Sequence, residues 1–199
     1  MGIAHVHSRA QVGLAAPPVR VELHLGSGLP GFTIVGLPAP VVRESKERVR
    51  AALVQCGFEF PAGRLTVNLA PADLPKEGGR FDLAIALAIL VASGQLQPRT
   101  DLQQLEVYGE LALGGEIKPV PGLLLAALHG ARAGHRLLVG AGNAAEARLA
   151  GCDALLVAAT LGDACALLRG EVVPVAPVSP PTPAAVAAVP DLADVRGQW

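Results

Sequence analysis

The residues best placed to do chemistry form one loop, Pro75-Lys76-Glu77-Gly78-Gly79-Arg80. The loop runs into a predicted helix starting at Asp82. Free backbone N–H groups and the helix dipole favour anions there, and Lys76 and Arg80 add positive charge. Gly78, Gly79 and Asp82 are expected to set the loop's conformation. A structural reading competes with this one. Asp82 is placed to cap the helix, its carboxylate would compete with a phosphate, and Arg80 would pair with Glu77 or Asp82. On sequence alone the structural loop outweighs the anion site. The candidate anion or DNA contacts are therefore Lys76 and Arg80, with Arg43 and Arg50 from the mildly basic stretch that also holds Lys46, Arg48 and Arg64. A solvated helix face explains most such runs.

Other chemistry is thinly represented. No G-x-x-x-x-G-K-[ST] loop and no strand-to-helix G-x-G-x-x-G occurs, so neither nucleotide cradle is available within the chain. The Gly-rich run 26–31 falls between two predicted strands and offers no helix dipole to a phosphate. His5, His7 and His24 could gather on one sheet face, but a metal needs a third ligand and a supporting shell; surface histidines are the simpler reading. Ser8, Ser27, Ser45 and Ser93 have no identifiable base partner. The expected catalytic and metal assignments are both none.

Composition excludes several classes. The formal net charge is −1, so no global field attracts nucleic acid or anionic lipid. The aromatic residues are four Phe, one Tyr and one Trp, too few for base-stacking platforms. The cysteines (Cys56, Cys152, Cys165) are odd in number and lack metal-ligand spacing. They fit reduced, core-filling residues of a cytoplasmic protein. The first nine residues do not form a signal peptide, and the most apolar stretch, 83–92, is too short to span a bilayer. No membrane partner is expected.

The elements that must position the loop follow from periodicity. Strands are predicted at 3–8, 19–25 and 32–35, the opening three forming a β-meander, then at 65–69, 137–139 and 155–157. Two further strands, 105–113 and 116–120, are joined by Gly114-Gly115 as a hairpin. Helices are predicted at 40–56, 82–93, 123–133, 144–150 and 161–169. On the first, Val42, Val49, Leu53 and Cys56 share a face, with Glu44–Arg48 and Glu47–Arg50 at pairing distance. After Gly170 the composition turns to Pro, Ala and Val. Residues 171–190 read as an extended linker. Because a linker joins folded parts, a longer parent protein is expected.

Several stretches carry a family resemblance. They are Val21-Glu22-Leu23-His24-Leu25, Gly28-Leu29-Pro30-Gly31, Ile34-Val35-Gly36-Leu37-Pro38 and Gly109-Glu110-Leu111-Ala112-Leu113. The longest is Asn68-Leu69-Ala70-Pro71-Ala72-Asp73-Leu74-Pro75-Lys76-Glu77-Gly78-Gly79-Arg80-Phe81-Asp82-Leu83. Together they resemble the N-terminal domain of the ComM/YifB family of magnesium-chelatase-like AAA+ ATPases. The resemblance implies a domain at 1–170, a linker at 171–190 and, at 191–199, the lead-in to an AAA+ module absent from this chain. It implies an α/β (α+β) fold of the ribosomal S5 domain 2-like, Lon proteolytic-domain-like kind: a mixed sheet with packed helices. In Lon-type proteases a Ser nucleophile is activated by a Lys. Those positions fall here on Arg80 and Leu124, which can serve neither role.

The implied function is that of a non-catalytic front domain for ring assembly, DNA guidance or partner docking. Its parent would be a hexameric DNA helicase promoting branch migration in natural transformation. ATP and Mg belong to the missing module, with no cofactor expected in this chain. The implied partners are further copies of the protein in a ring and, weakly, DNA. The alternatives are a Lon-like serine peptidase with an unidentified nucleophile and a magnesium-chelatase-type ATPase subunit.

Overall fold

The computed structural model describes residues 2–152 and 154–174. The linker expected at 171–190 lies, beyond Pro174, outside the described residues, as does the lead-in at 191–199. Fourteen regular elements build the domain: β1 (Gly2–Arg9), β2 (Pro18–Gly26), β3 (Gly31–Val35), α1 (Pro40–Gln55), β4 (Arg64–Ala70), α2 (Asp82–Ala92), β5 (Leu105–Tyr108), β6 (Glu110–Leu111), β7 (Ile117–Lys118), α3 (Leu123–Arg132), β8 (Arg136–Gly140), α4 (Ala144–Leu149), β9 (Leu155–Ala158) and α5 (Leu161–Leu168). Short 3-10 turns at Leu102–Gln104 and Ala141–Asn143 complete it.

Seven strands form one mixed sheet in the order β3-β4-β2-β1-β5-β8-β9. The β1–β2 and β2–β4 pairs are antiparallel, and every other pair is parallel. The architecture is α/β, as expected. The opening meander is not formed. β3 does not return alongside β2; β4 lies between them, antiparallel to β2 and parallel to β3. Alternation marks a strand but not its neighbour. Parallel strands need a crossover, and α1 supplies one between β3 and β4 while burying its apolar face.

Alternation along β2 sets the faces. Val19, Val21 and Leu23 are buried beneath α1 and α2, and Arg20 and His24 lie on the exposed face. Helix α2 is buried from Asp82 through Leu90, as a helix apolar all round must be. The other end of the sheet is covered on both sides. Leu138 packs into the core shared with α2 and α5, while its neighbours Leu137 and Val139 face a second cluster with α3 and α4. Strands buried on both faces read as continuous apolar runs, which is the case for β8.

The expected long hairpin is also corrected. Strand 105–113 breaks at Gly109, whose N–H donates to the Arg80 carbonyl at 3.3 Å and whose carbonyl accepts from Leu83 N–H at 3.1 Å. Beyond the break, β6 and β7 pair over two residues each. The strand is interrupted because its backbone is taken by the loop that carries Arg80.

Candidate functional site: the Arg80 cleft

The loop before α2 is fixed by its backbone. Gly78 adopts φ +70, in the left-handed region that glycine enters without penalty. Asp82 N–H donates to the Gly79 carbonyl at 3.0 Å. A Cβ on Gly79 would overlap the Glu110 side chain of β6, so the close approach of loop and strand depends on a bare backbone. This geometry turns Arg80 inward, where 6% of its surface remains accessible.

The Arg80 guanidinium forms part of the wall of a cleft of about 460 Å³, with Gln11, Gly13, Glu77, Gly78, Gly79 and Pro121 around it. Its Nη2 donates to the Pro121 carbonyl at 2.7 Å and to Gln11 Oε1 at 3.2 Å. Its Nη1 is buried and has no acceptor among the described residues. Burial lowers the guanidinium's pKa, against the opposing pull of Tyr108 and Glu146. No carboxylate of the described residues forms an ion pair with it. The expected pairing with Glu77 or Asp82 is therefore absent, and the cation is held by neutral acceptors.

The other candidates lie elsewhere. Lys76 is wholly buried, and its Nζ donates to the Pro71 carbonyl. Its own carbonyl accepts from Ala39 N–H at 3.1 Å, tying the loop to the start of α1. Burial lowers the ammonium's pKa, opposed by Asp73. Lys76 thus cannot offer its charge to a phosphate in this conformation, which corrects the expectation that it contacts DNA. Arg43 and Arg50 are exposed on α1 and line no part of the cleft; Arg50 sits over the Phe60 ring, 4.3 Å from its centroid.

Asp82 does not cap α2. The cap position is Phe81, without a side-chain bond. Asp82 instead accepts from Ser45 Oγ, Arg48 Nε and Leu111 N–H. Arg48 is thereby drawn away from its expected partner Glu44. Burial raises the Asp82 carboxyl's pKa, against the hydrogen bonds from Arg48 and Ser45.

A second polar cluster anchors the turn that carries Gln11 and Gly13. Glu106 on β5 accepts from Arg9 Nε and Nη2, the latter at 2.7 Å, from Tyr108 Oη at 2.5 Å, and pairs with His135 Nδ1 at 2.7 Å. Arg9 Nη1 also donates to the Ala16 carbonyl. The turn carrying Gln11 and Gly13 is thus anchored through Arg9 to β5. Sequence reasoning missed this cluster and the roles of Gln11 and Pro121. One signal was available: Glu106 is a lone acid inside the run Leu105-Glu106-Val107-Tyr108.

Of the two positions that the resemblance sets against Lon's nucleophile and base, Arg80 bonds to the segment just ahead of Leu124, at the Pro121 carbonyl, and Leu124 N–H donates to Glu146 Oε1 at 2.9 Å. A guanidinium and an isobutyl group can bind and shape a ligand. They cannot form the acyl bond or take its proton.

A family model described as subunit ChlI of Mg-chelatase matches residues 21–143. The chain belongs to this ChlI family. The matched segment of the ChlI domain runs from β2 to the second 3-10 turn, and so holds Arg80 and Pro121 but not Gln11. The chain is 49% identical over 177 residues to competence protein ComM of Haemophilus influenzae, covering 88% of this chain and 35% of that protein. It is 48% identical over 171 residues to the uncharacterized protein YifB of Salmonella typhimurium, covering 86% and 34% respectively. An uncharacterized protein of Mycobacterium tuberculosis, Rv2897c, is 40% identical over 199 residues, all of this chain and 39% of that protein. The chain thus spans a little over a third of the length of these relatives, and it matches their N-terminal part.

Among the described residues, no group of three or more His, Cys, Asp or Glu stands where it could hold a metal. Among them, no helix is long and apolar enough to cross a membrane.

Proposed function

We propose that this chain is the non-catalytic front domain of a ComM/YifB-like AAA+ ATPase that acts on DNA during natural transformation. In this reading the parent protein is a hexameric branch-migration helicase, and the domain serves ring assembly, DNA guidance or partner docking. ATP and Mg are bound by a module outside this chain. The observation that carries the non-catalytic part is Arg80. At the position that the resemblance to Lon-type proteases sets against the serine nucleophile, this chain has Arg80, a buried guanidinium facing a cleft. The DNA role rests on similarity to a protein named for competence, which covers most of this chain.

The test uses the full-length protein with and without residues 1–170. The reading expects ATP hydrolysis to survive the deletion and branch migration or ring assembly to fail. It also expects the isolated domain to leave ATP unbound in calorimetry. Labelling of any serine by a fluorophosphonate probe, lost when that serine becomes Ala, would overturn the non-catalytic assignment.

A further inference from the structure

A buried cation without an anion is an incomplete arrangement. Arg80 is more than nine-tenths buried. Among the described residues its Nη1 has no acceptor, and its Nη2 is satisfied there by a backbone carbonyl and an amide. Desolvated charges are normally matched by a partner of opposite sign. The guanidinium fork is shaped for two parallel bonds to one carboxylate or phosphate. Only one of its arms is in use here.

Gln11 shows how the second bond would form. It is exposed, on the turn between β1 and β2, and its Oε1 is the longer of the two contacts to Nη2. It stands as a neutral substitute at the cleft wall. An incoming anion that displaces it gains Nη2 and uncovers Nη1 together. Gly13 and Gly78 border the path, and a Cβ on either would meet nothing within 4 Å, so the way in is open.

The surroundings select the kind of anion. Glu77 lines the same cleft and Glu110 touches Gly79. A dianion would meet repulsion there, and a polyanion would find no second cation among the lining residues. The lining residue Gly13 is instead flanked in sequence by exposed apolar residues: Leu14 is 85% and Val12 43% exposed. One deep cation beside exposed apolar groups suits a single carboxylate attached to an apolar segment.

We propose that the Arg80 cleft binds the carboxylate of a peptide segment, with Arg80 as the paired donor, Gln11 as the displaceable gate and Val12 and Leu14 as the apolar rim. The carboxylate comes from the C-terminus of a polypeptide or from a Glu or Asp within it. The inference does not depend on the DNA role proposed above.

The experiment is a titration of the ¹⁵N-labelled protein, followed at Arg80 Nε–H and the Gly78 and Gly79 amides. The probes are N-acetyl-leucine, for a terminal carboxylate, and acetyl-Leu-Glu-amide, for an internal Glu carboxylate. Acetyl-Leu-Gln-amide is the uncharged control, and a 12-nucleotide single-stranded DNA tests phosphodiesters. Saturable shifts with either carboxylate probe and none with the control are expected, and the responding probe identifies the source. Arg80→Gln should weaken that binding by about tenfold or more. Gln11→Glu places a carboxylate on the gate itself; it should raise the melting temperature and abolish probe binding. Because Gln11 is exposed, that variant decides the matter even if Arg80→Gln fails to fold. Equal shifts with the control, unaltered binding to Gln11→Glu, or shifts caused by DNA alone would each overturn the proposal.

Discussion

Arg48 Nε donates to Asp82 Oδ2 at 2.6 Å, joining the third turn of α1 to the first residue of α2. The same carboxylate receives Ser45 Oγ from α1 and Leu111 N–H from β6. Three elements thus meet at one buried acid, and the loop carrying Arg80 ends there. The group that sequence assigns to capping a helix instead locks α1, α2 and β6 around the base of the cleft.

Replacing Asp82 by Ala leaves Arg48, Ser45 and the Leu111 amide without their common acceptor. A loss of about 2–4 kcal/mol is expected, read as a lowered urea midpoint. Asp82→Asn should lose less. The pH dependence has a definite sign. The folded-state pKa of Asp82 is raised, so its contribution is fullest below the ordinary Asp range and declines as pH rises through the raised value. The advantage of the wild type over Asp82→Asn should therefore grow as pH falls from 7 towards the ordinary Asp value.

Glu106 carries the opposite sign. Burial alone would raise its pKa, but the hydrogen bonds from Arg9, Tyr108 and His135 outweigh burial and hold it below its ordinary value of 4.5. Its contribution is present above that value and is lost as pH falls through the lowered one. Acid unfolding should thus be steeper for the wild type than for Glu106→Gln. Removing the cation by Arg9→Ala leaves a buried carboxylate short of its main donor and should cost about 3–5 kcal/mol at neutral pH. Pairing Arg9→Met with Glu106→Leu should recover part of that loss, because no charge is then left unmatched. Differential unfolding in urea across pH checks all three variants.

Most elements were legible because each has a clean period. The alternation of β2 and the all-apolar run of α2 leave little freedom in which face is buried. Pairing was less legible. Nothing in residues 32–35 says that β4 will come between them and β2, since that choice is made by the burial of α1 on the sheet. At the site, the chemistry of Arg80 was readable but its setting was not. Its partners Gln11 and Pro121 are distant in sequence and ordinary in type, and one of them acts through a backbone carbonyl. Lys76 was misjudged because a charged residue in a Gly-rich loop reads as solvent-facing, and Asp82 because an acid at the start of a helix reads as its cap. Here the loop folds back on α1 and β6 and takes both side chains inside.

The burial of Lys76 changes which cations can serve DNA. If α1 meets the phosphate backbone, the contacts are Arg43 and Arg50, which are exposed and lie seven residues apart on one helical face. Residues seven apart are nearly superimposed in azimuth, so the two residues' Cα positions stand roughly 10 Å apart along the axis. Each phosphate neutralised on duplex DNA contributes about 0.9 to the slope of log affinity against log salt. Arg43→Ala with Arg50→Ala, made in the full-length protein, should reduce that slope by about 2 and weaken binding similarly across sequences. Lys76→Met is the internal control. It removes a positive charge of the same stretch from a position closed to solvent, so affinity should stay within about twofold and the slope should not move. The measurement is fluorescence anisotropy of a labelled duplex at several salt concentrations. A slope that falls with Lys76→Met and not with the arginine pair would mean that the loop opens on DNA, and that the contact lies beside the cleft instead of on α1.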